Sequence, residues 1–483
     1  MSEIGKQHVQ DGTSRSAAAS ASRTDRRSFL KTSLAAMAAG AGLPGIAPFA
    51  AAGETTGGGP AKHTLIVLNP GHFHAGLTLR DRHPRLNDDV FVYAEDGPDV
   101  ENFLRMVGSF NSRDRDPTRW KLHVYRGADH LSRLREERRG DVVIISGKND
   151  SKMGSIHRLH AEGFHVLGDK PWLIGAGGLA LLRAVTSGRP LAMDIMTERH
   201  QIATQVQKAL IDRADVFGEF RLSGEPAIEF RSIHHLYKIV NQRPLVRPHW
   251  FFDTAVQGEG MMDVTTHLVD LAQWFAADGH RFDYETDVEL LHARQWPTEV
   301  PLEIFSRITG LDAFPPAIRD EVKGDTLHYL CNAAFSCRLR GVPVQIESLW
   351  NLQIPEGGGD THFAAVRGTR ATLIVDQGPD TRYRTRLSVY PSAFSTRVTE
   401  STLSRAIRDL QPQFPGLGYR RDGEAFRMEI PDMLRTGHEA HFAAVLDTFI
   451  GYIDSGRWPA NLGPDLVTKY TLLANARELS LRI

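Results

Sequence analysis

The chain has 483 residues, a formal net charge of −1, 41% hydrophobic residues and 24% charged residues. This balance is typical of a folded soluble protein with two or three domains, and it gives no reason to expect nucleic acid or an anionic membrane surface as a partner. The chain has two cysteines, Cys331 and Cys337, six residues apart on one predicted strand. They are too distant to form a local disulfide, so we interpret them as packing residues.

Residues 1–52 carry the pattern of an export signal. The paired arginines Arg26 and Arg27 precede a weakly apolar stretch at 34–47, and the small residues at 50–52 offer a cleavage site. The arginine pair indicates the twin-arginine route, so we expect the twin-arginine translocase as a partner during export and a periplasmic location. Glycines and a proline interrupt the stretch, so we expect no stable membrane span.

The next part of the chain predicts a dinucleotide-binding domain. Residues 53–61 are glycine-rich and predict a flexible linker. Residues 62–196 then alternate apolar runs with helical segments, which is typical of a doubly wound parallel sheet of the Rossmann type. The predicted strands cover residues 64–68, 89–94, 121–125, 141–146, 165–168 and 189–195, and a helix is predicted over residues 152–162.

From residue 197 the pattern predicts an α+β domain that continues to residue 483. Helices are predicted over residues 201–213, 438–455 and 464–481, and strands over residues 227–240, 326–339, 342–352, 371–377 and 384–391. The long strands alternate in polarity, which predicts a large, mostly antiparallel sheet with one packed face and one open face. The open face is a candidate surface for self-association into a homo-oligomer.

The turn after the first predicted strand carries an incomplete nucleotide motif. The G-x-G-x-x-G pattern would place glycines at 69, 71 and 74, where the chain has Asn69, Gly71 and His74. Gly71 holds the position at which a missing side chain lets the backbone approach a pyrophosphate. Asparagine tolerates left-handed geometry at 69, and we expect Gly76 partly to compensate for His74 by shifting the turn.

Further cofactor contacts are predicted at the same sheet edge. Glu95 and Asp96 end the second predicted strand about 24 residues after Gly71, where an acid would bind the ribose. An acid there would repel a 2′-phosphate and so favours NAD over NADP. The predicted cofactor contacts are Asn69, Gly71, His72, Phe73, His74, Glu95, Asp96, Ser146 and Lys170.

The segment Asp169-Lys170-Pro171 directly follows the fifth predicted strand. A lysine at this place lies at the carboxyl edge of the sheet, where ligands bind in open α/β sheets. The proline fixes the backbone and so aims the ammonium group. A solvated loop lysine is the alternative, and the nucleotide-binding pattern around the segment favours function.

A second functional pattern consists of Asp263, His267 and Asp270. On a helix these three side chains fall within about 60° of one another, apart from an apolar stripe. Histidine is suited to accept a proton near neutral pH, and a nearby carboxylate would raise its basicity. An ordinary surface pair is the alternative; the glycines before the helix favour a functional site.

Together these motifs resemble those of the Gfo/Idh/MocA family of dinucleotide-dependent oxidoreductases. Its E-K-P motif resembles Asp169-Lys170-Pro171, and its glycine-rich D-x-x-x-H helix resembles residues 258–270. The match is to the subgroup with its own oxidoreductase C-terminal domain, whose first turn resembles PGHFHA. The resemblance covers nearly all of the chain after residue 62, and it implies that Lys170, Asp263 and His267 are catalytic.

The resemblance further implies hydride transfer between NAD, with NADP as the alternative, and a carbinol carbon of a carbohydrate-like substrate. His267 would move the hydroxyl proton and Lys170 would stabilise the developing alkoxide. An exported enzyme of this kind would have to hold its nucleotide tightly. The predicted substrate contacts are Lys238, Arg247, Trp250, Asp253 and Asp263.

Three alternatives remain open at this point. The chain could be an NAD-dependent glycosidase or lyase that uses its cofactor transiently, or a sugar-binding protein whose nucleotide site has decayed. A metal site could also be built from the histidines, but their spacing matches no metal template, and we predict no metal. The histidines considered are His72, His74, His234, His235 and His267.

Overall fold

The structure is a computed structural model that describes residues 61–240, 243–277, 279–392 and 399–482. The predicted export signal and nearly all of the predicted linker lie outside the described residues. Within the described ranges, no helix combines the length and the apolar character that a membrane span requires.

The first domain is built on a six-stranded parallel sheet. Its strands are β1 His63–Leu68, β2 Leu86–Ala94, β3 Lys121–Arg126, β4 Val142–Ile145, β5 His165–Gly168 and β6 Ala192–Asp194. They are ordered β3-β2-β1-β4-β5-β6, the doubly wound arrangement of dinucleotide-binding domains. The central strands β1 and β4 are almost fully buried because helices cover both faces. The six predicted strands and the parallel sheet are confirmed.

Short helices connect these strands. They are α1 His74–Leu77, α2 Pro98–Ser112, α3 His130–Glu137, α4 Lys152–Ala161 and α5 Leu179–Val185. The first of them, α1, has only four residues and follows the incomplete nucleotide motif directly.

The second domain contains a ten-stranded sheet. The strands of this region are β7 Ile228–Tyr237, β8 Ile239–Val240, β9 Arg243–Pro244, β10 Val288–Pro301, β11 Val322–Lys323, β12 Thr326–Leu339, β13 Val342–Gln353, β14 Thr361–Arg367, β15 Ala371–Gln377, β16 Arg386–Pro391, β17 Gly418–Asp422 and β18 Ala425–Glu429. The sheet is ordered β10-β12-β13-β7-β14-β15-β16-β18-β17, with β11 beside β12, while β8 and β9 pair separately. All its pairs are antiparallel except β13 with β7, which confirms the predicted, mostly antiparallel sheet.

Eight helices of the described chain belong to this second region. They are α6 Ile202–Ile211, α7 Thr254–Gln257, α8 Thr265–Ala276, α9 Tyr284–Asp287, α10 Leu302–Thr309, α11 Glu400–Leu410, α12 His438–Ser455 and α13 Leu462–Ser480. The helices α6, α8 and α13 pack on the sheet. Cys331 and Cys337 are both free and buried on β12, as expected of packing residues.

The penultimate helix α12 returns to the first domain. Its residues Phe442, Val445 and Phe449 are buried in the same apolar cluster as Leu65 and Val67 of β1. The boundary predicted at residue 197 therefore separates the two sheets, but the later chain completes the core of the first domain. An apolar helical face shows that a helix packs, and not which sheet it packs against.

Candidate active site

A cavity of about 920 Å³ lies at the carboxyl edge of the parallel sheet, between the two domains. Most of the predicted site residues line it, namely His72, Phe73, His74, Lys170, Lys238, Arg247, Trp250, Asp263 and His267. Side chains that are distant in the sequence therefore meet at one place, as the motif analysis predicted for Lys170 and His267.

The two domains are joined at the cavity by an ion pair. The Nζ atom of Lys170 donates to Oδ1 of Asp263 at 2.6 Å, and each side chain is only 10% exposed. Burial alone would raise the pKa of Asp263, but the ammonium group of Lys170 outweighs it and holds that pKa below its ordinary value. Asp263 is therefore ionised, and it forms a buried ion pair with Lys170.

Asp263 does not lie on the helix that carries His267. A 3-10 turn, Gly260–Met262, precedes it, its backbone has φ −93° and ψ −103°, and α8 begins only at Thr265. A Cβ atom on Gly260 would lie 2.2 Å from the carbonyl oxygen of Cys331, so this turn is pressed against β12 and requires glycine. The prediction of one helical face shared by Asp263, His267 and Asp270 is wrong, because the close approach to the sheet replaces the first helical turn.

His267 lies in the first turn of α8, where it lines the cavity. Burial, assisted by the positive charge of Lys170, lowers the pKa of His267 to about 4, and the carboxylate of Glu198 only partly opposes this. Its Nδ1 atom is buried and has no hydrogen-bond partner among the described residues. The expectation of raised basicity is thus wrong: at neutral pH the structure holds an uncharged imidazole.

Asp270 belongs to a separate cluster behind the cavity. Its carboxylate accepts from Nε of Arg199 at 2.6 Å and from Nζ of Lys469 at 3.2 Å, while Lys469 also lies 2.8 Å from Asp194. Burial opposes ionisation of Asp270, but the two cations lower its pKa to about 2. Asp270 therefore ties α8 to α13 and takes no part in the cavity.

The turn after β1 is fixed by its own backbone. Asn69 has φ 44°, the left-handed geometry expected of it. The N–H groups of Gly71 and His72 donate to the carbonyl of Ser146 at 2.9 and 3.1 Å, so they are not available to a ligand. Those of Phe73 and His74 have no acceptor within the part of the chain that the structure describes. The N–H groups that are free to bind a ligand therefore belong to Phe73 and His74, two residues after the motif position at Gly71.

Two glycines adjust this turn to its neighbours. A Cβ atom on Gly76 would lie 2.4 Å from Sδ of Met106, so Gly76 allows the close packing on α2 for which the motif normally uses its third glycine. A Cβ atom on Gly71 would meet Asp99 at 3.1 Å and Trp250 at 3.3 Å. The space beside Gly71 is therefore filled by protein.

Trp250 covers the turn from the second domain. Its Nε1 atom donates to Oδ2 of Asp99 at 2.9 Å, which joins it to the start of α2. The structure thus places Trp250 beside the turn after β1, where it borders the cavity, rather than with Arg247 and Lys238 on the opposite wall.

The remaining predicted cofactor residues have mixed surroundings. Glu95 is exposed at the end of β2, and its N–H donates to Oδ1 of Asn69 at 3.3 Å, so it lies beside the turn. Asp96 is exposed and lies 3.1 Å from Arg126. Ser146 is fully buried and its hydroxyl donates to Asp169 at 2.9 Å, so it positions Asp169 and cannot itself reach a ligand.

Asp169 is buried between two histidines of the turn. Its carboxylate lies 3.0 Å from Nδ1 of His74 and 3.2 Å from Nδ1 of His72. Burial lowers the pKa of His74 to about 3, although Asp169 opposes the shift. The pKa of Asp169 itself lies well below its ordinary value, because its histidine neighbours outweigh burial.

The opposite wall of the cavity is built around Asp360, which the sequence analysis missed. Lys238 donates to its carboxylate at 2.6 Å, and the Nδ1 atoms of His234 and His235 lie 3.3 and 3.1 Å away. Asp360 directly precedes β14, a strand that was not predicted, so its position beside β7 could not be inferred. The cluster places fixed polar groups next to the indole of Trp350, whose ring centre is 5.0 Å from that of His234.

Arg247 is the second fixed group on this wall. It is buried, donates to the carbonyls of Leu236 and His235, and lies over the rings of Phe251 and Trp350 at 4.5 and 5.1 Å. Asp253, by contrast, does not line the cavity: its carboxylate accepts from the N–H of Ala255 and caps α7. The predicted substrate contact at Asp253 is therefore replaced by a structural role.

A family model described as "Putative oxidoreductase C terminal domain" matches residues 206–481. A solved structure described as a "putative oxidoreductase" from Parabacteroides merdae is 37% identical, covers 88% of this chain and 99% of its own, and superposes with a TM-score of 0.85. No protein in the curated comparison matches the chain.

More distant solved structures share the fold. Levoglucosan dehydrogenase in complex with NADH and L-sorbose is 13% identical, covers 87% of this chain and 97% of its own, and has a TM-score of 0.58. A protein of gentamicin A biosynthesis in complex with NAD is 13% identical, covers 89% of this chain and 97% of its own, and has a TM-score of 0.54. At these identities the likeness shows a common two-domain architecture.

Proposed function

The chain belongs to the oxidoreductase family that this C-terminal domain defines, and from that premise we propose that it transfers a hydride between a bound nicotinamide dinucleotide and a carbinol carbon of a sugar or polyol. One observation carries the proposal: Lys170 of the first domain meets Asp263 of the second at 2.6 Å, beside the uncharged imidazole of His267, in a cavity at the carboxyl edge of a doubly wound sheet. This edge is where such sheets bind dinucleotides.

The residues around the turn fit a dinucleotide. The N–H groups of Phe73 and His74 are free among the described residues, and they point to a pyrophosphate position shifted from the usual one. The exposed acid Glu95 beside Asn69 suits a ribose with a free 2′-hydroxyl, which favours NAD over NADP. Bound NAD would supply the hydride acceptor, and the protein's part is to bind, orient and move the proton.

Lys170, Asp263 and His267 divide the proton chemistry. An uncharged His267 can accept the hydroxyl proton, which a protonated imidazole could not. Lys170 donates to the same oxygen and stabilises its developing negative charge. Asp263 holds Lys170 in place, because removing the carboxylate would leave a buried ammonium group unpaired.

The substrate wall favours a polyhydroxylated molecule. The groups around Asp360 offer fixed donors and acceptors, and Trp350 adds a flat apolar surface beside them. The fold neighbour levoglucosan dehydrogenase was crystallised with a sugar, L-sorbose, which supports the same class. The N-terminal arginine pair supports export to the periplasm with the nucleotide already bound.

The test begins with mature protein purified from its natural host. Denaturation and mass spectrometry of the released small molecules should yield NAD(H) in near-stoichiometric amount. Protein that contains no nucleotide and binds neither added NAD(H) nor added NADP(H) would contradict the proposal and leave the sugar-binding alternative.

A second assay separates net redox chemistry from transient redox chemistry. We expect a sugar panel to include a substrate that converts bound NAD to NADH. Cleavage of a glycoside without net NADH would instead identify the glycosidase alternative.

A further inference from the structure

Three side chains at the carboxyl edge of the parallel sheet converge on one point. The candidate ligand atoms of His72, His74 and Asp169 all lie within 4.8 Å of one another, and the carboxylate is 3.0 and 3.2 Å from the two Nδ1 atoms. Separations of about 3 Å are those of neighbouring ligands that share one ion at about 2.0–2.2 Å. No second group of this kind occurs in the described ranges of the chain.

The fold explains why linear spacing does not reveal the cluster. His72 and His74 follow β1, whereas Asp169 follows β5, and 95 positions separate His74 from Asp169. The strand order β1-β4-β5 brings both ends to the same edge of the sheet. A local template therefore cannot include the carboxylate, although two histidines two residues apart can contribute to one ion.

The surroundings hold these groups in position. Ser146 donates to Oδ2 of Asp169 at 2.9 Å, which fixes the carboxylate as outer-shell partners do in metal sites. The ring of His74 packs against Phe442 with centres 4.5 Å apart. The Nδ1 atom of His72 is buried and makes no hydrogen bond with acceptable geometry to any described residue, although it lies 3.2 Å from Asp169. Such an atom is costly unless something binds it.

We propose that His72, His74 and Asp169 form a binding site for a divalent transition-metal ion, of which Zn²⁺ is the simplest example. Two imidazoles and a carboxylate are a ligand set that Zn²⁺ and its first-row neighbours accept. Three protein ligands leave at least one coordination position, and all three residues line the cavity, so that position faces the bound molecule. The site goes beyond the proposed hydride transfer, which needs no ion.

The charge balance at the cavity permits a cation. One lysine at this edge, Lys170, is neutralised by Asp263 at 2.6 Å. A second buried lysine, Lys152, directs its ammonium group to Asn149 and to the carbonyls of Asp169 and Pro171. The carboxylate of Asp169 is therefore left to the two histidines and to Ser146. The alternative is a site without an ion, in which Asp169 accepts a hydrogen bond from Nδ1 of His74 and Nδ1 of His72 stays unpaired among the described residues.

Zinc titration distinguishes the two states. Full-length protein is stripped with a chelator and titrated calorimetrically with Zn²⁺ alone, without nucleotide, and its metal content is then measured. We expect one Zn²⁺ per chain, and we expect Asp169→Asn and His72→Ala to weaken binding by at least the about 10- to 100-fold that outer-shell changes cause. His438→Ala is the matched control, because its ring lies 6.3 Å from that of His74 but outside the trio, and it should bind Zn²⁺ normally.

Two readouts keep the proposal decidable. Ser146→Ala leaves all three ligands intact and should still weaken Zn²⁺ binding by about 10-fold or more, which settles the case if a ligand variant fails to fold. Co²⁺ should give visible ligand-field bands in the wild type that Asp169→Asn lacks. Absence of stoichiometric Zn²⁺ binding, or equal binding by wild type and the Asp169, His72 and Ser146 variants, would overturn the site. Nucleotide binding is measured separately, so neither result bears on the proposed function.

Discussion

Asp263 and Asp270 are close in the chain, and each belongs to a different cluster of buried charges. Only the cluster of Asp263 borders the cavity. Asp270 is enclosed by Arg199 and Lys469, with Asp194 completing a set of two carboxylates and two cations. Asp263 has a single cation, Lys170, and neighbours an imidazole with an unpaired nitrogen. In the Asp270 cluster every charge is paired, so no group is left to bind a ligand. In the Asp263 cluster an imidazole nitrogen is unpaired and can bind one. The same residue types therefore stabilise the fold in one place and are available for chemistry in the other.

The largest effect on the free energy of unfolding is expected in the fully paired cluster around Asp270. Lys469→Met would leave Asp194 and Asp270 with one cation between them, and breaking such a buried arrangement costs about 3–5 kcal/mol of unfolding free energy. Urea denaturation measures it, with the exposed Lys323→Met as the matched control. If both variants unfold at the same urea concentration, the network does not stabilise the fold.

The Lys170–Asp263 ion pair should respond in the opposite way, with a large loss of turnover and a smaller loss of stability. Lys170→Gln keeps a hydrogen-bond donor for Asp263 but removes the charge that stabilises an alkoxide, so turnover should fall by about 10²-fold or more. Its unfolding free energy should change less than that of Lys469→Met, because cavity water can reach Asp263. Steady-state kinetics and urea denaturation on the same preparation check both statements. Large destabilisation with unimpaired turnover would make Lys170 a structural residue.

The proton acceptor can be tested alongside Lys170. His267→Gln should also reduce turnover by about 10²-fold, with nucleotide content unchanged because His267 lies in the second domain. In the double variant with Lys170→Gln the losses should be far from additive if both act on one oxygen. Additive losses would show that the two side chains act independently.

A smaller effect is expected at the nucleotide turn. A side chain at Gly71 would meet Asp99 and Trp250 before it met a cofactor, so Gly71→Val should cost about 1–3 kcal/mol through overpacking and displace the indole from the turn. Trp250 fluorescence and nucleotide content report the two consequences. Unchanged fluorescence together with unchanged nucleotide content would show that the turn tolerates a side chain.

A separate effect is expected in the pH dependence of stability. Burial is the main cause that lowers the pKa values of His200, His267 and His441 to about 4, against about 6.5 in the unfolded chain. Between pH 6.5 and 4 the unfolded state therefore binds more protons, so stability should fall as the pH falls through this window. Thermal midpoints from pH 7 to pH 5 should decline, and a flat profile would contradict the buried, uncharged state of these histidines.

The sequence was sufficient to predict the two kinds of sheet and to place several candidate site residues at the ends of strands. Apolar runs ending at a Gly or Lys mark strand ends, and this placed Lys170 and the turn at Gly71 on one edge. The strand β10 was missed because it is an edge strand of mixed polarity with two prolines, Pro297 and Pro301, in its C-terminal half.

The sequence was insufficient wherever partners are distant. A helical wheel groups Asp263 with Asp270, but Asp263 has non-helical backbone angles and precedes α8, so the two carboxylates pair with different cations. Glu198 follows β6 and Asp360 precedes β14, far apart in the chain, yet both line the cavity. Pairing between remote segments is a property of the tertiary structure, which local periodicity does not encode.

The transfer of deuterium tests the central claim most directly. A sugar that the protein oxidises is labelled with deuterium at the carbon that loses hydride and is mixed with the nucleotide-loaded protein. The nucleotide is then released and analysed by mass spectrometry. If Lys170, Asp263 and His267 surround a hydride-transfer centre, the reduced nicotinamide carries the deuterium, and His267→Gln forms it at about a hundredth of the wild-type rate. Product formation with an unlabelled nicotinamide would contradict the account.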